Sequence, residues 1–204
     1  MAMTRREVIK QTMLFTGYAL TASTVQAILT GCEPERVVNW TPSFFDAGQA
    51  ELVTHMAETI LPPTKTPGAI EMGVPAYIEL MVKDTFTPED QEKFIAGLAD
   101  MEKRAQAAFQ KPFTQCKVKQ QTQLLEEVDA EASAEGIARR DAVKANPKLG
   151  EEPFFNFFLA FKSLTLVGYY TSSYVGQNVL SYDPIPGAYL GCIPVKDVGN
   201  SWSL

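Results

Sequence analysis

The sequence predicts an all-α protein, in which an irregular orthogonal domain of about five to six helices precedes a long irregular C-terminal tail. Three observations predict this fold class. Apolar residues recur at helical spacing in several segments between residues 41 and 167. Threonine followed by proline marks the start of two of these segments. From Gly168 onward the periodicity disappears and turn residues dominate, which predicts an extended tail.

Length and composition favour one globular domain. The 204 residues are 46% hydrophobic and 21% charged, which suits one packed core. We expect a leader over residues 1–31, a tether over residues 32–40 and a single domain over residues 41–204. The formal net charge is −6, and residues 1–31 carry +2, so the remainder carries −8. Nucleic-acid binding is not expected, because it depends on basic contacts to phosphate.

The first residues predict export. Arg5 and Arg6 precede a charge-free, weakly apolar run from Gln11 to Thr30, a combination typical of a twin-arginine signal peptide. The alternative is an ordinary amphipathic helix with a charged start. The twin-arginine interpretation predicts a periplasmic protein.

The end of the leader resembles a lipobox. Leu29, Thr30 and Gly31 lead to Cys32, which would carry the lipid and hold the protein at the inner membrane. Ordinary cleavage after Ala27 is the alternative. Past the leader, no run approaches the ~18 apolar residues that a spanning helix needs.

Lipidation of Cys32 would leave Cys116 and Cys192 as an even pair in an oxidising compartment. They could form a disulfide with each other. Alternatively, they are small buried apolar residues, or one of them bridges to another subunit.

Start signals and apolar stripes predict three helices in the first half of the domain. The first begins at Thr41-Pro42-Ser43 and reaches Ile60, and the proline-rich stretch Leu61–Ala69 then forms a loop. The second begins near Val74 or Pro75. The third runs from Pro88 to about Phe109, with Thr87 as its cap. Its expected inner face consists of Phe94, Ile95, Leu98, Met101 and Ala105.

The second half continues with helices of different character. Residues 116–145 are rich in Gln, Glu, Ala and Lys, which predicts a helix with a possible break at Gly136. Residues 146–150 are expected to form a loop. Pro153 then opens an apolar helix, residues 154–167, that is hydrophobic nearly all round and therefore buried on several sides.

Common catalytic and cofactor motifs are missing from the sequence. The chain has one histidine, His55, and no Cys-x-x-Cys-His motif for haem attachment. No Gly-x-Gly-x-x-Gly motif follows a strand pattern, so a dinucleotide-binding domain is not expected. His55 is interpreted as a helix-face or buried, hydrogen-bonded histidine. We therefore expect no catalytic residue, no metal site and no cofactor in this chain.

Acidic residues offer a weak alternative. Glu58, Glu71, Glu79 and Asp84 could furnish a carboxylate pair, but acids on amphipathic helices are usually solvated. Asp183 lies among prolines and tyrosines, where it either accepts backbone hydrogen bonds in a turn or serves a less ordinary function.

Two segments stand out by their motifs, order and spacing. The first is Ile60–Ala69, continuing to Gly73-Val74-Pro75. The second is Phe158–Cys192, with the run Leu180-Ser181-Tyr182-Asp183-Pro184-Ile185-Pro186-Gly187. Together they resemble the gluconate 2-dehydrogenase subunit 3 family, and the likeness extends over about residues 41–192. The lipobox is a departure, because it is not a general feature of the family.

This resemblance implies a small accessory subunit without its own cofactor. Its expected partner is a large flavoprotein of the glucose–methanol–choline type that holds FAD, often joined by a multihaem cytochrome c that holds haem c. The small subunit would carry the export signal for the complex. Stand-alone binding of a sugar or envelope component is the alternative role, and an enzyme that uses Asp183 is a third. Expected partner contacts are Tyr169, Tyr170, Tyr182, Asp183 and Tyr189, whereas the aromatic helix is expected in the core.

Overall fold

The computed structural model describes residues 36–185, 187–188 and 192–203. Arg5, Arg6, Cys32 and Tyr189 lie outside the described residues, so the export and lipidation predictions are not tested. The described residues are helical without any strand, which confirms the all-α prediction. They include one isolated bridge, between Ser181 and Trp202.

The described part contains seven α-helices, five of which have at least seven residues. They are α1 (Ala47–Ile60), α2 (Val74–Thr85), α3 (Pro88–Phe109), α4 (Val118–Ala145), α5 (Phe157–Tyr170), α6 (Ser173–Asn178) and α7 (Val195–Val198), with short 3-10 turns at Phe113–Gln115 and Pro147–Glu151.

Helices α2 and α3 begin where the sequence predicts. Gly73 precedes α2 with a left-handed backbone (φ 71°) that a side chain would disfavour. Thr87 caps α3 by accepting a hydrogen bond from the N–H of Asp90. Four of the five predicted inner-face residues of α3 are buried, namely Phe94, Leu98, Met101 and Ala105, and Ile95 is partly buried.

The predicted start of the first helix was wrong. Helix α1 begins at Ala47, and Asp46 caps it by accepting a hydrogen bond from the N–H of Gln49. The residues before the cap are irregular because the backbone N–H groups of Ser43, Phe44 and Phe45 all donate to the carboxylate of Glu79.

The boundaries of the aromatic helix also differ from the prediction. Helix α5 begins at Phe157 rather than near Pro153, because Asn156 caps it by accepting from the N–H of Leu159. It continues to Tyr170, and α6 follows. The predicted tail from Gly168 is therefore helical at its start, and the irregular segment begins at Val179.

Two further details of the second half differ from the prediction. Helix α4 runs through Gly136 without a break. Residues 147–151, expected as loop, form a 3-10 turn that starts at a proline. Only the first half of α4 is buried, through Gln121, Leu124, Leu125, Val128 and Ala132.

The core centres on α5 and on one ring of α3. Helix α5 contacts α1, α2, α3, α4 and α6. Phe94 is fully buried, and its ring meets the rings of Phe157 at 5.1 Å and Phe161 at 6.3 Å. The interpretation of the aromatic helix as core agrees with the burial of Phe158 and Phe161, although Phe154 is 43% exposed.

Two glycines allow α5 to pack this closely. A Cβ on Gly97 would lie 2.1 Å from Cγ of Phe157, and one on Gly168 would lie 2.6 Å from Cδ1 of Tyr77. Neither distance is compatible with a real side chain, so glycine is required for α5 to contact α3 and α2 as it does.

Candidate functional site

A cleft of about 680 Å3 lies where three parts of the described chain meet. The loop Leu61–Ala69, called here the Pro-Thr loop, forms one wall, and the end of α5 forms the second. The third wall comes from Val179, Leu180 and the segment Asn200–Trp202. The first two walls, and Val179 and Leu180 of the third, lie in the segments that the sequence analysis singled out. Asn200–Trp202 does not.

The Pro-Thr loop is held from two sides. The hydroxyl of Tyr169 donates to the carbonyl of Pro67 at 2.9 Å. The carboxylate of Glu58 on α1 accepts from the N–H of Ile70 at 2.8 Å, directly after the loop. The loop also closes on itself through a bond from the N–H of Ala69 to the carbonyl of Leu61. This wall of the cleft is therefore fixed by helices α1 and α5.

The C-terminal wall is held by backbone pairing around Ser181. The N–H of Ser181 donates to the carbonyl of Ser201 at 2.8 Å, and the N–H of Ser203 donates back to the carbonyl of Ser181 at 2.9 Å. The side-chain amide of Asn200 adds a bond to the carbonyl of Val179 at 2.7 Å. These bonds position Trp202 over the cleft with its side chain 55% exposed.

Exposed apolar side chains concentrate in the last part of the chain. Of the twelve large apolar side chains that are exposed among the described residues, eight lie between Val167 and Trp202. Residues 163–204 contain only Asp183, Lys196 and Asp197 as charged residues. Depletion of charge with exposed tyrosine and tryptophan is typical of the core of protein interfaces. The exposed C-terminal apolar set consists of Val167, Tyr174, Tyr182, Ile185, Ile193 and Val195, outside the cleft.

The structure separates the residues expected as partner contacts. Tyr169 is buried, so most of its ring is unavailable to a partner. Tyr170 lines the cleft and is 47% exposed, and Tyr182 is exposed. Asp183 accepts a bond from the N–H of Ile185, which is the turn role that the sequence analysis offered.

The two remaining cysteines do not form the disulfide that the sequence analysis allowed. Cys116 is buried and Cys192 is exposed, and both thiols are free. Burial raises the pKa of the Cys116 thiol. Cys116 thus fits the alternative of a small buried apolar residue, and its thiol donates weakly to the carbonyl of Pro112 at 3.4 Å.

Two carboxylates that were expected to be solvated are buried. Glu58 is 6% exposed and Glu79 is 4% exposed. Burial raises the pKa of Glu58, although the N–H of Ile70 and the charge of Arg36 oppose the shift. Burial also acts to raise the pKa of Glu79, but its four hydrogen-bond donors outweigh burial and lower it. The sequence carried no signal for this burial, because glutamate is common on exposed helix faces.

A network of polar groups surrounds His55, the single histidine of the chain. The amide Nε2 of Gln121 lies 3.3 Å from Nδ1 of His55 and donates to the carbonyl of Phe113. The guanidinium of Arg36 donates to the carbonyl oxygen of His55 and to Oε1 of Gln121. Burial, and then the charge of Arg36, lower the pKa of His55 to about 4. The imidazole is therefore neutral near pH 7 and acts as a hydrogen-bond acceptor within the domain.

Two searches of the described residues gave negative results. No group of three or more His, Cys, Asp or Glu side chains could hold a metal ion there. None of the helices in the described part is both long and apolar enough to cross a membrane.

Comparison with known proteins places the chain in a family. The family model for gluconate 2-dehydrogenase subunit 3 matches residues 47–187, which include helices α1–α6 and the Pro-Thr loop. No curated protein and no solved structure matches the chain with significance. Because the family model covers more than half of the sequence, the chain belongs to the gluconate 2-dehydrogenase subunit 3 family, whose name describes one subunit of a multi-subunit dehydrogenase.

Proposed function

We propose that this chain is the non-catalytic small subunit of a periplasmic, membrane-associated dehydrogenase that acts on a sugar or sugar acid. It binds the large flavin-bearing subunit, accompanies it through twin-arginine export and stabilises it. The observation that carries the proposal is the exposed C-terminal apolar set in a chain that belongs to a family of enzyme subunits. A subunit needs a surface for its partner, and these side chains suit a desolvated contact.

Two features of the exposed C-terminal apolar set support its contact with a partner protein. Ile185 is 84% exposed and Val195 is 87% exposed, so each presents most of its side chain to solvent in the isolated chain. Single exposed apolar residues are ordinary, whereas six of them between Val167 and Val195, in a stretch whose only charged residue is Asp183, favour an interaction surface. Tyr174 and Tyr182 add side chains that commonly carry interface energy.

The other members of the complex follow from the same proposal. FAD would reside in the large subunit, of the glucose–methanol–choline type, and haem c in a multihaem cytochrome subunit. Arg5 and Arg6 would supply the export signal for the complex. Cys32 would carry the lipid that holds it at the inner membrane.

The experiment is affinity purification of a C-terminally tagged copy from its native periplasm and membranes. We expect a large partner in stoichiometric amount and a flavin absorption spectrum. Replacing Tyr174 and Tyr182 together by glutamate should reduce recovery of the partner at least about tenfold, since charge in a desolvated contact is costly. Leu80→Glu is the matched control, because Leu80 is 54% exposed on α2, outside the set.

Other outcomes would contradict the proposal. A chain that elutes alone and colourless from gently solubilised membranes would favour stand-alone binding of an envelope component. Equal loss of the partner in Leu80→Glu and in the double variant would show that the exposed C-terminal apolar set is not the contact. Export is tested separately by replacing Arg5 and Arg6 with lysine, after which both proteins should remain in the cytoplasm.

A further inference from the structure

The cleft beside the Pro-Thr loop has the size of a ligand site. Its volume is about 680 Å3, within the range of about 300–1,000 Å3 that small-molecule sites usually occupy. Part of its wall, the segment Asn200–Trp202, lies beyond residues 47–187 that the family model matches. The family match thus includes eight of the eleven lining residues and leaves out the three that complete the third wall.

The walls of the cleft carry no formal charge. Its lining side chains are aliphatic, aromatic, hydroxyl or amide groups, without Asp, Glu, Lys, Arg or His. An anion that entered the cleft would lose part of its hydration shell, and no cationic side chain in the walls would compensate for that loss. Gluconate is an anion near pH 7, so these walls favour a neutral molecule over gluconate.

Three polar groups in the cleft have no hydrogen-bond partner among the described residues. They are the hydroxyl of Tyr170, the hydroxyl of Ser201 and the indole Nε1–H of Trp202. The hydroxyls of Thr64 and Thr66 lie 3.4 Å apart, a weak contact that leaves both able to bind a ligand. A few convergent polar groups within an otherwise apolar cavity are typical of a site that orients a small molecule.

Two of the three aromatic side chains that line the cleft are open to solvent, and the third, Tyr169, is buried. Trp202 is 55% exposed and Tyr170 is 47% exposed, and Leu61, Val179 and Leu180 add apolar surface to the cleft. An open site suits a ligand with one apolar face and hydroxyls that stay hydrated. A flat apolar ring such as a quinone would gain more from an enclosed site.

We propose that this cleft binds a neutral sugar in its ring form, with one face of the pyranose against the exposed aromatic surface of Trp202 or Tyr170. The hydroxyls of Tyr170 and Ser201 and the indole N–H of Trp202 then hydrogen-bond to sugar oxygens. This site belongs to the isolated chain and is independent of the exposed C-terminal apolar set. The test of this site therefore does not depend on which partner the chain has.

Binding is tested by isothermal titration calorimetry with the purified full chain. The ligands are methyl β-D-glucopyranoside, whose ring cannot open, sodium gluconate, and a short-chain water-soluble benzoquinone. We expect saturable binding of the glucoside with a Kd of about 1–10 mM, as suits a ligand of this size. Gluconate and the benzoquinone should bind at least tenfold more weakly. Equal or tighter binding of either compound, or no binding of the glucoside, overturns the proposal.

Variants locate the site. Trp202→Ala should weaken glucoside binding by at least about tenfold, because stacking and one hydrogen bond are both lost. Tyr170→Phe removes only a hydroxyl and should weaken binding about two- to tenfold. Tyr174→Ala is the control, because Tyr174 is 51% exposed but does not line the cleft. Thermal melting confirms that each variant folds. Unchanged affinity in both cleft variants would place any sugar elsewhere and refute the assignment.

Discussion

The carboxylate of Glu79 accepts a hydrogen bond from the indole N–H of Trp40 at 2.8 Å. Its other oxygen accepts from three consecutive backbone N–H groups, those of Ser43, Phe44 and Phe45, at 2.8–2.9 Å. Four donors thus replace the water that burial removes, which allows the carboxylate to remain charged. The chain before α1 is thereby attached to α2, and the ring of Phe45 stacks on Phe94 at 6.1 Å.

Replacing Glu79 with glutamine should destabilise the protein. The neutral amide cannot accept all four bonds with the strength of a carboxylate, so the free energy of unfolding should fall by about 2–4 kcal/mol. Urea denaturation measures this change, and the emission of Trp40 should shift to the red in the folded variant. Asp84→Asn on the same helix is the control, because Asp84 is exposed; an equal loss in both variants would contradict the assigned role of Glu79.

The single histidine should make stability depend on pH. The pKa of His55 is lowered from 6.5 to about 4, so the unfolded chain binds a proton more readily than the folded one. The contribution of His55 to the free energy of unfolding is therefore fully present above about pH 6.5, and it is lost as the pH falls toward 4. Between pH 7 and pH 5 the loss should be about 1–2 kcal/mol, allowing for partial exposure of the ring.

The test compares wild type with His55→Asn, whose side-chain oxygen can accept in place of Nδ1. Urea unfolding of both proteins at several pH values above 5 gives the contribution of His55 as the difference between them, because the carboxyl groups, including Glu58 with its raised pKa, are common to both. The slope of stability against pH should largely disappear in the variant. A slope that persists would show that other groups titrate in this range.

The hydroxyl of Tyr169 should stabilise the Pro-Thr loop. Tyr169→Phe removes its bond to the carbonyl of Pro67 and should lower the free energy of unfolding by about 0.5–1.5 kcal/mol. Hydrogen exchange of the loop amides should become faster. Tyr170→Phe is a matched control on the next residue, since that hydroxyl has no partner among the described residues and its loss should leave stability unchanged.

A methyl group on Gly97 should prevent α5 from packing on α3. Gly97→Ala places a Cβ 2.1 Å from Cγ of Phe157 and should cost about 1–3 kcal/mol of unfolding free energy. Gly48→Ala on α1 has the opposite expected sign, because that position has room and alanine favours a helix by up to about 1 kcal/mol. Thermal melts of both variants decide the matter, and a stabilised Gly97→Ala would contradict the observed packing.

Local signals in the sequence predicted several elements well. Thr87 and Pro88 mark the start of α3, and its apolar stripe identified Phe94 and Leu98 as core. Where a distant group competes for the same backbone donors, the prediction failed. Thr41-Pro42 looks like a helix start, but Glu79, more than thirty residues away, accepts the N–H groups that follow. The apolar periodicity also did not predict that α5 continues to Tyr170, because glycine at position 168 weakens the helical pattern.

The candidate site was only partly accessible to sequence reasoning. The sequence analysis named the Pro-Thr stretch as a loop from its composition and Tyr170 as an expected partner contact, and both line the cleft. The sequence analysis did not identify Trp202, because no local pattern predicts that Ser201 and Ser203 pair with Ser181 about twenty residues away. Glu58 gave no signal either, because its burial depends on the loop that folds over it.

The sequence by itself determined the helical class, the buried face of α3 and the family, because periodicity, caps and motifs depend on residues that lie close together in the sequence. Tertiary structure alone decided which polar groups are buried, which of two adjacent tyrosines is buried and which is exposed, and whether the cysteines meet. Tyr169 and Tyr170 are adjacent in sequence, yet α5 turns one ring inward and the other toward solvent. Burial of this kind depends on contacts between distant residues, and those contacts exist only once the helices have packed.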